Sequence, residues 1–360
     1  MVILGIETSC DETSAAIVAK SNETLILKSH VVATSLAIHS KTGGIIPENA
    51  AREQIKYLLP VIKQSLEDAK ITLENVDAIA VTYGPGLIGS LLVGVETAKT
   101  IALVQDKPII PVNHMVGHIY ANWLRAESKE HGDELYALRP MPYAIQFPAL
   151  ALVVSGGHTD LLLMKRHGDF TLLGGTRDDA AGEAFDKIGR LLGFAYPAGS
   201  LIEQKAKLGN PKRFLFPRPL IGSGDYDFSF SGLKTAVLRE VIKLNKNKSL
   251  IPNTYTLNSK DINDICAGVQ HAITDVLVKK TLKAVQEYKV KSLLLSGGVA
   301  ANQTLRDEFQ VSSSKFQVKF FAPAKNLCTD NGAMIAAAAA YNYHPVPWKE
   351  ITADPELYFD

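Results

Sequence analysis

Apolar and polar positions follow two patterns, and each pattern occurs twice along the chain. The first is a pair of apolar strands joined by a short polar turn, at residues 2–18 and 149–164. The second is a buried strand, a glycine turn and a helix, at residues 77–101 and 291–309. Such units are common, so recurrence by chance is the alternative. Because each half has the same patterns in the same order, we predict an α/β fold of two related lobes around a central cleft.

Helical periodicity predicts the remaining regular elements. Asp178 and Asp179 would form the N-cap of the helix predicted at residues 178–192. Two segments are expected to be irregular: residues 206–231, rich in Gly, Pro and Phe, as a long surface loop, and residues 125–146 as an excursion between elements. The predicted helices cover residues 48–69, 178–192, 260–288 (as one helix or two) and 331–341.

Composition and charge narrow the class of protein. The 360 residues are enough for about two domains. Lys and Arg number 38 and Asp and Glu number 37, which gives a net charge of +1. This balance argues against nucleic-acid binding through bulk charge, although a local basic patch or a partner protein could supply the positive charge. Three scattered cysteines indicate a reducing compartment. Without a targeting segment or an uninterrupted membrane-length apolar stretch, a cytoplasmic protein with no membrane association is expected.

Three glycine turns follow apolar strands: Gly84-Pro85-Gly86, Ser155-Gly156-Gly157 and Ser296-Gly297-Gly298. Glycine permits close backbone approach, and a following helix start presents unpaired N–H groups to an anion. A tight turn alone explains any one of them, but the three together favour a nucleotide or phosphorylated ligand. None matches the P-loop or the Rossmann fingerprint.

The tip of the first hairpin is densely polar, with Thr8, Ser9, Asp11 and Glu12. The hydroxyls could contact a phosphate, and the carboxylates could hold a cation or position a water molecule. The alternative is a turn that caps itself through local hydrogen bonds. The density of such side chains favours a functional tip.

His114 and His118 stand four positions apart, on one face if the segment is helical. Two imidazoles so placed could bind one metal ion, although a pair at a helix edge is the commoner case. A metal needs a further ligand, and the sequence leaves several candidates open. The zinc-protease motif H-E-x-x-H is disfavoured, because Met115 occupies the position of its glutamate. The candidate further ligands are Asp330, Asp11, Glu12 and Asp186.

Motifs spread over most of the chain together resemble the TsaD family of tRNA threonylcarbamoyladenosine transferases, once described as sialoglycoproteases. They occur in the order of that family, and the opening motif is similar to its bacterial and organellar branch. The motifs are G-I-E-T-S-C-D-E-T (5–13), G-G-I-I-P-E (43–48), G-P-G-L-I-G-S-L-L-V-G (84–94), H-M-V-G-H (114–118), V-V-S-G-G-H-T (153–159), D-D-A-A-G-E-A-F-D-K (178–187), D-F-S-F-S-G-L-K-T (227–235), S-G-G-V-A-A-N (296–302) and C-T-D-N-G-A-M-I-A (328–336).

This resemblance implies the actin-like ATPase (ASKHA) fold. We expect one lobe from residues 1–113 and 335–360, and a second lobe, with the metal and substrate motifs, from residues 114–334. The implied reaction moves the threonylcarbamoyl group of threonylcarbamoyl-AMP to the N6 amine of the adenosine 3′ to the anticodon, in tRNAs that read ANN codons. AMP is released.

The resemblance also implies roles for particular residues. His114, His118 and Asp330 would bind the metal, usually iron, with zinc as an alternative. Asp11 and Glu12 would be activity-critical carboxylates, and the cleft would hold an adenylate or ATP-type nucleotide, with Mg²⁺ as an additional ion. The implied substrate-binding positions are Val153, Val154, Ser155, Gly156, Gly157, Asp186, Gly199 and Asn302.

The implied partners are tRNA, a TsaB-type relative, a TsaE-type ATPase and, as an open alternative, a second copy of the chain. Two features depart from the family pattern: Ala198 replaces a glycine, and extra residues occur around 125–146. The competing functions are a small-molecule kinase of the actin-like fold and a non-catalytic nucleotide-dependent scaffold. A local basic patch, or merely a solvated loop, is formed by Lys205, Lys207, Lys212, Arg213 and Arg218.

Overall fold

A computed structural model describes residues 1–22, 24–35, 44–126, 145–245 and 257–359. The chain forms two compact units. The first unit comprises Met1–Ala144, His167–Asp169 and Pro323–Asp360, and the second comprises Ile145–Arg166 and Phe170–Ala322. The lobe boundaries expected from the motifs stay a prediction, since compactness alone does not define a lobe. Most of the predicted excursion at 125–146 lies outside the described residues.

The described residues form both strands and helices, as expected for an α/β protein. The strands are β1 (Val2–Glu7), β2 (Glu12–Ser21), β3 (Thr24–Thr34), β4 (Ala78–Gly84), β5 (Ile109–Asn113), β6 (Leu124–Ala126), β7 (Ala149–Val154), β8 (Thr159–Arg166), β9 (Asp169–Gly174), β10 (Ser292–Ser296) and β11 (Lys319–Phe321). The helices are α1 (Pro47–Ala69), α2 (Ile88–Gln105), α3 (His114–Tyr120), α4 (Ala181–Leu191), α5 (Gly199–Ala206), α6 (Ser231–Leu244), α7 (Ser259–Tyr288), α8 (Gln303–Lys315) and α9 (Gly332–Tyr341).

The five strands of the second sheet have the same order as the first five strands of the first sheet, which has β6 in addition. In the first unit the order is β5-β4-β1-β2-β3-β6, and in the second it is β11-β10-β7-β8-β9. In the first sheet, β1 pairs antiparallel with β2 and parallel with β4, and β4 pairs parallel with β5. In the second sheet, β7 pairs antiparallel with β8 and parallel with β10, and β10 pairs parallel with β11. The doubling predicted from the sequence pattern is therefore confirmed at the level of topology, together with the α/β class.

Alternation along β1 decides what each face of the first sheet contacts. Leu4 and Ile6 face a core that includes Leu58 of α1 and Leu91 of α2. Gly5 faces the opposite way, onto α9, where a Cβ on Gly5 would meet the carbonyl oxygen of Gly332. Because neither Gly5 nor Gly332 has a side chain, the first turn of α9 lies directly on the backbone of β1.

Some local predictions needed correction. Helix α4 begins at Ala181 with Ala180 as its N-cap, so the predicted start at Asp178 is wrong. Asp178 instead accepts hydrogen bonds at the start of α6, from the amide and hydroxyl of Ser231 among others. The 260–288 segment is a single 30-residue helix. Residues 207–230 contain no helix or extended strand, as predicted, but they are not simply a surface loop, because four aromatic side chains are buried there: Phe216, Tyr226, Phe228 and Phe230.

Helix α2 meets the length and hydropathy criteria for a membrane span, although Glu96 and Lys99 interrupt it. One such helix is weak evidence, because core helices of globular proteins pass the same test. One face of α2 packs on β4 and the neighbouring α1.

Candidate functional site

The two histidines of the candidate metal centre lie on α3, which follows β5 without a loop. The Asn113 side chain starts this helix by accepting hydrogen bonds from the amides of Met115 (2.8 Å) and Val116 (3.3 Å). Helical spacing then places His114 and His118 on one face, with ring centroids 4.6 Å apart in a T-shaped arrangement. Both side chains are buried, so the helical pair predicted from the sequence is confirmed as a helical pair.

Asp330 meets this pair from a segment more than two hundred residues away along the chain. It lies immediately before Asn331, whose side chain caps α9 by accepting a hydrogen bond from the amide of Met334. Asp330 Oδ1 is 3.6 Å from His114 Nε2 and 3.2 Å from His118 Nε2. One potential ligand atom from each of the three residues lies within 4.8 Å of the others.

The donor set fits a metal ion by geometry and by burial. With metal–ligand bonds of about 2.1 Å, ligand atoms stand about 3.0 Å apart at right angles and about 3.4 Å apart in a tetrahedron. His118 is fully buried, and among the described residues neither of its ring nitrogens has a hydrogen-bond partner. A buried imidazole without partners is costly unless something else satisfies it, and a cation between His118 and Asp330 would do so. Of the candidate third ligands, only Asp330 joins this group within the described residues.

Charges around His114 favour its protonated form in the metal-free site. Burial lowers the pKa of His114, but the carboxylates of Asp330 and Glu7 more than offset it and raise that pKa to about 9. Glu7 was not singled out in the sequence, because it reads as the last residue of an apolar strand. The concentration of negative charge around two imidazoles suits a cation.

The polar tip of the first hairpin lies in the same unit. Burial, a hydrogen bond with Asp11 and the negative charge of Asp330 raise the pKa of Glu12 to about 10. Burial, and then the charge of Asp330, also raise the pKa of the Cys10 thiol. Because Asp330 acts on both Glu12 and Cys10, these two residues of the tip lie within electrostatic reach of the candidate metal centre.

Gln54 of α1 shapes this tip and was not identified from the sequence. Its buried side-chain amide nitrogen lies 3.1 Å from the carbonyl oxygen of Thr8, 2.9 Å from that of Cys10 and 3.2 Å from that of Glu12. One side chain therefore gathers three carbonyl groups of the turn between β1 and β2.

In the second unit, the Ser155-Gly156-Gly157 turn is an open loop at the end of β7. Ser155 Oγ accepts hydrogen bonds from the amides of Gly157 (3.3 Å) and His158 (3.1 Å). No atom of the described residues lies within 4 Å of where a Cβ on Gly156 or Gly157 would be. The preceding residues Val153 and Val154 are buried strand residues.

The adjacent strand β10 ends in the Ser296-Gly297-Gly298 turn, in contact with this loop. Gly297 has a φ of 87°, and a Cβ there would collide with the backbone of Val154. Only glycine at this position therefore lets the turn after β10 approach the end of β7 this closely.

Of the remaining predicted substrate positions of the second unit, Gly199 and Asn302 lie at helix starts and Asp186 lies within α4. Asp186 Oδ1 accepts a 2.7 Å hydrogen bond from the amide of Ala198, beside Gly199 at the start of α5, and burial raises the pKa of Asp186. Asn302 caps α8 by accepting a hydrogen bond from the amide of Leu305 (3.0 Å), while its own amide donates to Gln270 Oε1 (3.1 Å). Gln270 is thus a second positioning side chain that the sequence did not indicate.

Two sequence hypotheses lose support from local bonding. At the Gly84-Pro85-Gly86 turn, the amide of Gly86 donates to Pro355 and that of Leu87 to Ser9, so these amides are already used by the protein. The basic side chains proposed as a patch mostly face carboxylates. The pairs are Lys207 with Glu203, Arg213 with Asp261 and Asp264, and Arg218 with Asp275.

Comparison with known proteins decides the family. The model of the TsaD family, described as tRNA N6-adenosine threonylcarbamoyltransferase, matches residues 27–337. The chain belongs to the TsaD family. A relative of that name from Symbiobacterium thermophilum is 47% identical over 340 residues, covering 94% of this chain and 91% of the relative. Another, from Lactiplantibacillus plantarum, is 45% identical over 364 aligned positions, covering 100% of this chain and 96% of the relative.

A solved structure, YeaZ from Pseudomonas aeruginosa, is also similar, at 16% identity and a TM-score of 0.30 over 48% of this chain and 63% of that one. That score is too low to carry an argument. TsaD membership and the repeated strand order together give the chain the actin-like fold expected from its motifs.

Proposed function

We propose that this TsaD-family chain is a tRNA-modifying acyltransferase that makes threonylcarbamoyladenosine. The observation that carries the proposal is the family match over residues 27–337, together with relatives of that name along nearly the whole chain. The substrates would be threonylcarbamoyl-AMP and the adenosine 3′ to the anticodon in tRNAs that read ANN codons. The carbamoyl carbon forms a bond to N6, its bond to the adenylate oxygen breaks, AMP leaves and the amine loses a proton.

His114, His118 and Asp330 are the proposed metal ligands, with iron as the resident metal and zinc as the alternative. Two imidazoles and one carboxylate leave coordination positions for oxygen atoms of a substrate. When bound, the metal supplies Lewis-acid polarisation of the threonylcarbamoyl carbonyl. The three side chains, for their part, hold the ion at the buried end of α3, where His118 otherwise has no hydrogen-bond partner among the described residues.

The residues of the second unit are proposed to bind the adenylate. The open loop at Ser155–Gly157 offers backbone groups to a phosphate, with Asp186, Gly199 and Asn302 as the further proposed contacts. An ATP-type nucleotide with Mg²⁺ is proposed as an additional ligand of these positions. Asp11 and Glu12 are proposed as activity-critical carboxylates. Asp11 is the proposed acceptor for the proton lost by N6, because Glu12, whose pKa is raised to about 10, already carries a proton at neutral pH.

TsaB-type and TsaE-type proteins are the proposed partners, with tRNA as the macromolecular substrate and a homodimer as the alternative assembly. Helices α1 and α2 pack together and leave large apolar side chains exposed, which supports a protein partner on this face. These exposed side chains are Ile55, Leu59, Ile88, Leu92, Leu103 and Val104. The near-neutral net charge agrees with tRNA binding that is shared with partners, and the cytoplasm is the proposed location.

The competing functions are less favoured. A small-molecule kinase of the actin-like fold would have no use for a histidine pair against Asp330, and a non-catalytic scaffold would not need the three ligands together. Neither alternative agrees with the names of the relatives.

The decisive experiment supplies purified protein with threonylcarbamoyl-AMP, an ANN-decoding tRNA and candidate partners, and measures the modified nucleoside by mass spectrometry. Wild type should form the product, and His118→Ala should lose both the product and the bound metal. His344→Ala is the matched control, because His344 is an exposed histidine of the same unit outside the cluster. Absence of product with wild type, or undiminished product with His118→Ala, contradicts the proposal.

A further inference from the structure

Glu7 is a fully buried carboxylate directly beside the candidate metal centre. Its Oε2 atom lies 3.3 Å from Nδ1 of His114, on the opposite side of the ring from the nitrogen that faces Asp330. We infer that Glu7 is a positioning residue of the metal centre, which accepts a hydrogen bond from His114 Nδ1–H and so keeps Nε2 available to the metal. The inference rests on the proposed metal site and deepens it.

The location of Glu7 follows from the alternation along β1. Leu4 and Ile6 enter the core beneath α1 and α2, so Glu7 shares the other face with Gly5, which is the face covered by α9. Helix α3 packs against α9 on this side of the sheet. Strand β1 therefore places the Glu7 carboxylate beside Nδ1 of His114, the first histidine of α3.

Three groups surround the Glu7 carboxylate. The amide of Ser9 donates to Oε1 at 2.5 Å, the hydroxyl of Thr82 donates to Oε2 at 2.5 Å, and Nδ1 of His114 lies near the same Oε2. A buried carboxylate is tolerable only when donors surround it, and these groups supply them. This arrangement requires a proton on His114 Nδ1.

The proton on Nδ1 decides what the other nitrogen can do. A metal binds the unprotonated nitrogen of a neutral imidazole, and the hydrogen bond made by one nitrogen selects which nitrogen stays free. With Nδ1–H directed at Glu7, Nε2 of His114 faces Asp330 with its lone pair available. Nδ1 of His118 has no such partner among the described residues, so a hydrogen bond of this kind is available only to His114 of the two histidines.

Ser9 is the competing partner, because its hydroxyl oxygen lies 3.1 Å from the same Nδ1. A hydroxyl can either donate to a ring nitrogen or accept from it, so Ser9 is compatible with both tautomers. A carboxylate can only accept. Glu7 is therefore the group that selects the tautomer, and the two partners can be separated by mutation.

Glu7→Gln is the informative substitution, because it keeps the shape and removes the second acceptor. If the amide oxygen of Gln faces His114, its NH₂ group faces the amide N–H of Ser9, and two donors meet. If the oxygen faces Ser9, the NH₂ group faces Nδ1–H of His114, and again two donors meet. Loss of such a partner typically weakens metal binding by about 10–100-fold. Ser9→Ala leaves the carboxylate in place and should weaken binding by less than about tenfold, the cost of one neutral hydrogen bond.

The test measures Zn²⁺ affinity by chelator competition for wild type, Glu7→Gln, Ser9→Ala and His118→Ala, after thermal unfolding of each metal-free protein has shown that it folds. We expect the loss with Glu7→Gln to exceed that with Ser9→Ala. Wild-type affinity in Glu7→Gln overturns the inference while the metal site stands, provided that His118→Ala loses zinc. Wild-type affinity in His118→Ala instead overturns the metal site of the proposed function.

A second measurement does not depend on whether Glu7→Gln folds. In zinc-loaded wild-type protein labelled with ¹⁵N-histidine, NMR should show the proton of His114 on Nδ1. A proton on Nε2, with zinc bound through Nδ1, overturns the inference directly. A merely structural role of Glu7 would not fix this signature.

Discussion

The contact between β1 and α9 predicts that Gly5→Ala is strongly disruptive. A Cβ on Gly5 would lie 2.7 Å from the backbone nitrogen of Ala336 and 2.9 Å from its Cβ, and would also overlap the carbonyl oxygen of Gly332. The crowded atoms belong mostly to the backbone of α9, so no side chain can rotate away. The helix as a whole must move, and Asp330 lies two residues before it begins.

The expected magnitude follows from this geometry. Overpacking a buried site typically costs about 1–3 kcal/mol, and the backbone contacts place Gly5→Ala near about 3 kcal/mol. At about 2–4 °C per kcal/mol for a unit of this size, the melting temperature should fall by about 6–12 °C. Because Asp330 moves with α9, Zn²⁺ affinity should also fall by about tenfold or more.

Differential scanning calorimetry of the metal-free protein and zinc competition provide the two measurements. Gly232→Ala is the control, because Gly232 lies in α6 with no atom within 4 Å of a new Cβ among the described residues. Alanine is the better helix former, so this variant should be neutral or stabilised by up to about 1 kcal/mol. A wild-type melting temperature for Gly5→Ala would refute the packing argument. A lowered melting temperature with unchanged zinc affinity would refute the link from α9 to Asp330.

Two further predictions concern side chains that organise loops. Gln54→Leu removes the donor shared by three carbonyl groups of the first hairpin turn. It should lower the free energy of unfolding, measured in urea, by about 1–3 kcal/mol and slow the transfer reaction. A free energy of unfolding equal to that of wild type would contradict this. Burial raises the pKa of Asp178, but hydrogen bonds from Ser229, Phe230 and Ser231 outweigh burial and hold the pKa in the folded protein below 3.8. The ionised Asp178 therefore stabilises the fold above pH 3.8, and this stabilisation is lost as the pH falls through the pKa of the folded protein. Asp178→Asn should therefore cost about 1 kcal/mol at neutral pH and progressively less in acid; a loss that does not vary with pH would exclude the charged cap as its cause.

Local patterns were sufficient for both hairpins, both strand–helix units and the histidine pair. Strand alternation and glycine turns located both hairpins and both strand–helix units, because these signals depend on residues a few positions apart. The spacing of His114 and His118 predicted a shared face for the same reason. The repeated strand order then followed from the repeated elements.

Local rules failed where a side chain bonds to a distant segment. Asp178 looked like the cap of the helix that follows it, yet it caps α6, more than fifty residues downstream. Glu7 looked like the end of an apolar strand, yet its carboxylate meets a histidine 107 residues later. A propensity records only what neighbours in the chain favour, and buried polar groups are satisfied by whichever segment packs against them.

The sequence by itself determined the α/β class, the doubled pattern, the helical histidine pair and, through its motifs, the TsaD resemblance. Residue spacing left the third ligand open, and the TsaD resemblance named Asp330. Only the tertiary structure showed that Asp330 lies against the pair, that Glu7 lies beside Nδ1 of His114, and that Gln54 bonds the turn at the hairpin tip. The physical reason is that Asp330 reaches the site through the close packing of α9 on the glycine of β1. Such a contact arises when side-chain volumes and strand faces are combined in three dimensions, and no local spacing encodes it.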